Sequence, residues 1–264
     1  DYTLPSIPCT VWQGFVFINS DPDCEPLKSS FGPFLARFDD WNVENLVSAH
    51  RVTYDVKANW KTIFQNFNEC YHCPLIHPQL TPVAAAKTAS NDFTEGHFLG
   101  GPMILSDGHD SASMNGVLCG DLFPQLSAED RKRVYFYTLF PTLFISPHPD
   151  YVLTHRIERL SPDTTRIVCD WLFPPDVIDR SGFDPSAAVE FWDLTNRQDW
   201  HVCELTQQGV QSQSYQPGPY SNLESILVAF DRHYLRDLGE PDSRSRSATR
   251  GASTPMRRRH VKEL

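Results

Sequence analysis

The segment from Glu69 to Pro78, Glu-Cys-Tyr-His-Cys-Pro-Leu-Ile-His-Pro, constrains this chain more than any other. It sets His72 and His77 five residues apart, three and eight residues after Glu69. On a continuous helix, neighbours on one face are three or four residues apart, so a spacing of five does not suit a single helical face. Pro74 cannot continue a helix in the ordinary way and predicts a bend between the two imidazoles. The bend lets both rings approach one object from different directions. A metal ion that takes two adjacent nitrogen ligands and keeps open positions is the natural candidate.

The rest of the composition sets the frame. A chain of 264 residues has room for one large domain or two small ones, with ample core. No apolar run approaches the ~20 residues of a membrane span. The start, Asp1-Tyr2-Thr3, has no Met, basic n-region or apolar h-region. No signal peptide is visible, and the chain reads as a piece of something longer. Seven cysteines without a repeating framework predict reduced thiols and a cytoplasmic location. Residues 240–264 carry seven basic and three acidic side chains, so the net charge of −10 divides into +4 there and −14 before it. The acidic body argues against nucleic acid as the main partner. The Ser- and Arg-rich tail is expected to be disordered.

Along the chain, residues 11–19 read as one strand stopped by Asp21-Pro22-Asp23, and Ser48 to Lys57 as another. Trp60 to Tyr71 places Trp60, Phe64, Phe67 and Tyr71 on one helical face. Residues 79–130 hold no period, which predicts a long loop. Val134–Ile145, Tyr151–Leu160 and Thr165–Phe173 read as three strands, the last two joined by a turn at Ser161-Pro162-Asp163-Thr164. Asp184-Pro185 opens a helix over about Ser186 to Gln208 that Gly209 can stop, and Ser221 to Leu238 reads as a shorter one. The order is that of an α+β domain whose antiparallel sheet wraps a helix.

A two-histidine site with open positions needs a carboxylate to complete its face, as in non-haem Fe(II) chemistry. In the helix after Asp184, Trp192, Asn196, Asp199 and Cys203 share one face at spacings of four, three and four. Trp192 and Cys203 belong inside and carry Asp199 inward, where a carboxylate without a cation is costly. Asp193 and Glu204 fall on other faces, directed to solvent or a partner, and His148, His155 and His201 show no ligand spacing. Cys70 and Cys73 bracket His72 and invite a zinc reading. Two cysteines and a histidine within four residues cannot all face one ion from a helix, and no second Cys pair follows. They are expected to be small buried side chains beside the metal.

Asn59-Trp60-Lys61, Asn66-Phe67, Glu69-Cys70-Tyr71-His72-Cys73-Pro74 and His77-Pro78, followed by Phe191-Trp192, Gln198-Asp199 and Glu204, resemble the catalytic domain of Rieske-type ring-hydroxylating oxygenase α subunits. The resemblance runs from about residue 10 to residue 238, and its histidine block is highly specific. It implies that His72, His77 and Asp199 bind a mononuclear Fe(II), that Glu69 relays electrons from a neighbouring subunit's Rieske cluster, and that Asn66 and Asn196 lie around the metal. The implied fold is the helix-grip of START-like proteins. The implied partners are O2, a small-molecule substrate, a reductase or ferredoxin fed by NAD(P)H, and further copies in a ring, most simply a homotrimer. The product would be a hydroxylated aromatic ring or an oxidatively dealkylated small quaternary amine, and the Glu-Cys-Tyr-His-Cys-Pro wording is closer to the quaternary-amine subgroup.

One departure stands out. A [2Fe-2S] Rieske cluster needs Cys-x-His and a later Cys-x-x-His. The only Cys-x-His is Cys70-Tyr71-His72, and no Cys-x-x-His occurs. Residues 1–30 therefore read as the last strand and linker of such a cluster domain, 31–239 as the catalytic unit and 240–264 as a tail. Such a piece is expected to hold iron but to receive electrons poorly. The alternative is a helix-grip binding protein for a hydrophobic ligand, with a vestigial metal site.

Overall fold

The computed structural model describes Leu4 and residues 6–239; the basic segment 240–264, expected to be disordered, lies outside the described residues. In chain order the strands are β1 (Cys9–Trp12), β2 (Phe15–Ile18), β3 (Val47–Val56), β4 (Phe98–Ile104), β5 (Arg133–Leu139), β6 (Leu143–Pro147), β7 (Val152–Ser161) and β8 (Thr164–Phe173). The helices are α1 (Leu27–Ser30), α2 (Gly32–Leu35), α3 (Trp60–Phe67), α4 (Cys73–Ile76), α5 (Leu80–Val83), α6 (Pro175–Ile178), α7 (Ser186–Val210) and α8 (Ser225–Asp237). β1 and β2 form a hairpin, and the other six strands form one antiparallel sheet in the order β3-β8-β7-β6-β5-β4. With α7 on one face of that sheet, this is the expected α+β helix-grip arrangement.

Successive side chains of a strand go to opposite faces, and here both faces are dry. On one, Val134, Phe144, Leu153, Ile157 and Trp171 share a core with Phe64, Phe191, Trp192 and Trp200 of the helices. On the other, Tyr135, Tyr137, Leu139, Ile145 and Val152 join Phe34, Phe38 and Trp41. Burial on both sides explains why these strands read as near-continuous apolar runs rather than clean alternation.

The long helix is fixed in rotation by specific bonds. Asp184 Oδ1 accepts from the Ser186 N–H (2.9 Å) at its start. Trp192 Nε1 donates to the Tyr151 hydroxyl (2.7 Å), which donates in turn to the Ala112 carbonyl (2.7 Å). Near its end, Glu204 and Gln207 accept from the backbone N–H groups of Lys57 (3.0 Å) and Asn59 (2.8 Å). Asn59 also caps α3, its side chain accepting from the Lys61 N–H (3.0 Å). The far end of α3 is tied down by Asn68, which donates to Phe64 O (2.8 Å) and accepts from Thr138 Oγ1 on β5 (3.0 Å).

Several expected boundaries move. Residues 11–19 are not one strand but the end of β1, a turn at Gln13-Gly14, where both residues have positive φ (48° and 81°), and β2. The predicted strand Val134–Ile145 is two, broken at Phe140-Pro141, where the chain reverses. α3 stops at Phe67 under the Asn68 cap, so Tyr71 leaves the helical face and is 59% exposed. The predicted loop 79–130 contains α5 and β4. α7 runs through Gly209 to Val210, and a short 3-10 turn at Asn222–Glu224 precedes α8. Glu204 and Asp193 are held rather than loose: Asp193 Oδ1 accepts from the Tyr54 hydroxyl (2.7 Å).

Candidate metal centre

Three segments distant in sequence meet beneath α7. His72 sits in the turn after α3, His77 closes the single-turn helix α4 that Pro74 starts, and Asp199 comes down from α7. His72 Nε2 and His77 Nε2 are 3.1 Å apart, and Asp199 Oδ1 lies 3.1 Å from the first and 2.9 Å from the second. Their ring planes are crossed at 78°, which the bend at Pro74 produces.

The outer nitrogens are both engaged. His72 Nδ1–H donates to Glu69 Oε1 (2.5 Å), and Glu69 Oε2 accepts from the backbone N–H groups of Tyr71 and His72, the latter at 3.2 Å. His77 Nδ1–H donates to Gln198 Oε1 (2.8 Å), which is held by Gln79 Nε2 (2.9 Å). A proton fixed on each Nδ1 leaves both Nε2 lone pairs facing the Asp199 carboxylate. Three acceptors then converge on one gap and draw positive charge into it. Burial alone would lower the His72 imidazolium, but hydrogen bonds with Asp199 and Glu69 outweigh it and bring the group up to about 9. Burial pushes the Asp199 carboxyl up, yet its bonds with His72 and His77 hold it below its usual range. A divalent cation answers the same demand. Two ligands ~2.1 Å from an ion in adjacent octahedral positions stand ~3 Å apart, so this triangle matches one octahedral face.

Cys70 and Cys73, expected to be reduced, are instead joined in a disulfide. The tight turn around His72 brings their Cα atoms to 4.9 Å, within ordinary bridging distance. Cys73 Sγ lies 4.0 Å from His72 Nε2, but a disulfide sulfur is no thiolate ligand, which leaves Asp199 Oδ1 as the third donor atom facing the gap.

The triad opens into a cavity that, together with the open solvent at its mouth, spans about 770 Å³. Phe67, Phe136, Leu153 and Trp192 form apolar walls, and Gly100 and Gly101 of β4 bring backbone close. Asn66 lines the cavity. Asn196 does too, one step from the triad, accepting from His155 Nε2 (3.1 Å). Burial pushes His155 down to about 4, so it stays neutral. Sequence reasoning gave no role to Gln79, Gln198 or His155. A ligating imidazole needs a partner for its second nitrogen, and that need was the one signal pointing toward Gln198, adjacent to Asp199.

The comparisons with known proteins bear on this geometry. The family model described as ring hydroxylating alpha subunit (catalytic domain) matches residues 43–240. The chain belongs to that family. The catalytic domains of these Rieske oxygenases hold a mononuclear Fe(II), and the donor set here suits it. The glycine betaine monooxygenase oxygenase subunit of Pseudomonas aeruginosa is 25% identical over 93% of this chain and 65% of its own length. The chain therefore spans just under two-thirds of that relative. A solved quaternary ammonium Rieske monooxygenase superposes with a TM-score of 0.68 at 18% identity, over 88% of this chain and 61% of that one. Naphthalene 1,2-dioxygenase from Rhodococcus superposes with a TM-score of 0.64 at 13% identity, over 87% and 65%. At these identities the two structures show the Rieske oxygenase catalytic fold.

Proposed function

We propose that residues 31–239 are the catalytic unit of an oxygenase terminal component that oxidises a small quaternary amine, with His72, His77 and Asp199 as the iron ligands. The observation that carries this reading is the 2.9–3.1 Å triangle of donor atoms at the head of an aromatic cavity. An Fe(II) held there would supply O2 activation with electrons that originate in NAD(P)H. The chain's own residues do the rest. Glu69 and Gln198 hold the Nδ1 protons and so aim both Nε2 lone pairs; the apolar walls exclude water and hold a substrate carbon beside the triad.

Three observations support the amine over an aromatic ring. Phe67, Phe136 and Trp192 offer aromatic faces that attract a quaternary ammonium. Among the described residues that line the cavity there is no Lys or Arg to repel a cation. The relatives include oxygenase subunits named for glycine betaine and carnitine and a choline monooxygenase.

Glu69 is the proposed electron relay: it is bonded to a ligand imidazole and reaches out through the turn bearing the exposed Tyr71. The donor is a Rieske cluster on a neighbouring copy, which makes the working assembly a ring, most simply a homotrimer, served by a reductase or ferredoxin.

Metal analysis after anaerobic Fe(II) loading tests the ligand set. One tightly held iron per chain, lost from His72→Ala and from Asp199→Ala, is the expected result. A chain that takes up no iron yet retains a hydrophobic ligand would make it a binding protein instead.

A further inference from the structure

Far from the triad in sequence, a second set of donors converges where α8 crosses the start of β4. His233 and Asp237 stand one turn apart on α8, and His97, the residue before β4, faces both. Asp237 Oδ2 lies 3.6 Å from His233 Nε2 and 3.9 Å from His97 Nε2. The two ring centroids are 4.2 Å apart, and one donor atom from each residue lies within 4.8 Å of the others. His233 is 6% exposed, and among the described residues neither of its ring nitrogens has a hydrogen-bond partner. Native structures rarely bury both nitrogens of an imidazole unsatisfied.

The rings are held in place. Phe31 stacks on His97 (5.8 Å) and Phe140 packs edge-on against His233 (5.6 Å). The Phe140 N–H donates to His97 O (2.7 Å), fixing the backbone behind the ring.

We propose that His97, His233 and Asp237 form a second metal site, built for a zinc-type divalent cation. Two imidazoles and one carboxylate suit Zn(II) and its neighbours better than the all-oxygen shells of Mg(II) or Ca(II). Ligands ~2.0–2.1 Å from a tetrahedral ion stand ~3.3 Å apart, so the two distances to Asp237 need to close by only a few tenths of an ångström. His97 and Asp237 reach solvent, which leaves the fourth position to water. The ion clips the end of α8 to an edge strand of the sheet, and its binding energy adds to the stability of that junction.

The test separates this site from the pocket beneath α7. In the full chain carrying His72→Ala and His77→Ala, titration with Zn(II) is expected to fill one site per chain, and Co(II) to give the visible bands of a four-coordinate N/O site. His97→Ala and Asp237→Asn, both changes of solvent-reaching side chains, are each expected to weaken that binding ~10-fold or more. In the otherwise unaltered chain the same two changes should lower total zinc uptake by one equivalent. Failure of the pocket-disabled chain to bind Zn(II), or binding that survives both changes, overturns the proposal. Iron uptake beneath α7 is untouched by either outcome.

Discussion

At the scale of single residues, the metal centre is a problem of proton placement. His77 is fully buried, and its outer nitrogen has Gln198 Oε1 as its partner. Gln198→Ala is expected to weaken Fe(II) binding roughly 10–100-fold, because the ring loses both its tautomer lock and its orientation. Glu69→Gln separates two roles of the same residue. The amide oxygen can still accept from His72 Nδ1 while the backbone N–H groups of Tyr71 and His72 lose their acceptor. Iron content should therefore be largely kept, while loss of the charge on the proposed relay should sharply reduce product formation in the full-length enzyme. Metal analysis beside a product assay reads both, and full turnover by the Glu69→Gln enzyme would end the relay role. The meeting of His72, His77 and Asp199 was legible because each depends on local rules: Pro74 bends the chain between the imidazoles, and the Trp192, Asn196, Cys203 stripe turns Asp199 inward. The role of Gln198 was not legible. Its partner Gln79 comes from a different segment, and only tertiary packing brings the two together.

At the scale of elements, what the sequence concealed lies where backbone approaches backbone. β4 carries Gly100-Gly101-Pro102, which reads as a loop, yet it pairs with β5 along its length. Gly100 has φ of 134°, and a Cβ there would collide with the Phe136 carbonyl oxygen; one on Gly101 would collide with that of Ser90. The glycines let segment 90–93 close over the strand, and Pro102 is tolerated because β4 is an edge strand. The loop after β4 is pinned by Asp150, which accepts from Ser111 Oγ (2.8 Å) and from the N–H groups of Cys119 (2.7 Å) and Gly120 (3.3 Å). Burial pushes the Asp150 carboxyl from 3.8 up to about 6, outweighing those hydrogen bonds. The folded state thus holds this proton more tightly than the unfolded state. The contribution is full below pH ~4 and is lost as pH rises through ~6, the reverse of a salt-bridged carboxylate. Relative to Asp150→Asn, the chain is expected to lose about 2 kcal/mol of stability between pH ~4.5 and pH ~7. Parallel denaturant titrations at the two values check it; a constant difference would place the proton elsewhere.

At the scale of the whole molecule, the proposed electron relay sits where the cavity wall meets the surface. The sheet, α7 and α3 enclose the triad, while the turn from Glu69 to Ile76 forms its outer wall. Tyr71 (59%) and Leu75 (86%) stand exposed on that turn, beside the carboxylate that bonds His72. Large apolar side chains on the turn that carries the proposed metal ligands fit a surface covered by another copy in the proposed ring. Leu75→Arg in the full-length enzyme should therefore leave iron bound, since the side chain points away from the triad. It should also place an unpaired charge in the proposed contact and shift the proposed trimer toward monomer in sedimentation. A contact weakened by one ~1.4 kcal/mol step dissociates ~10-fold more readily, and turnover per iron should fall with the trimer fraction. Concentrating the variant should restore both together, because mass action drives the subunits back into contact. If Leu75→Arg sediments as the parent does and turns over at the parent rate, the neighbour approaches from another side and the relay path through Glu69 loses its geometric basis.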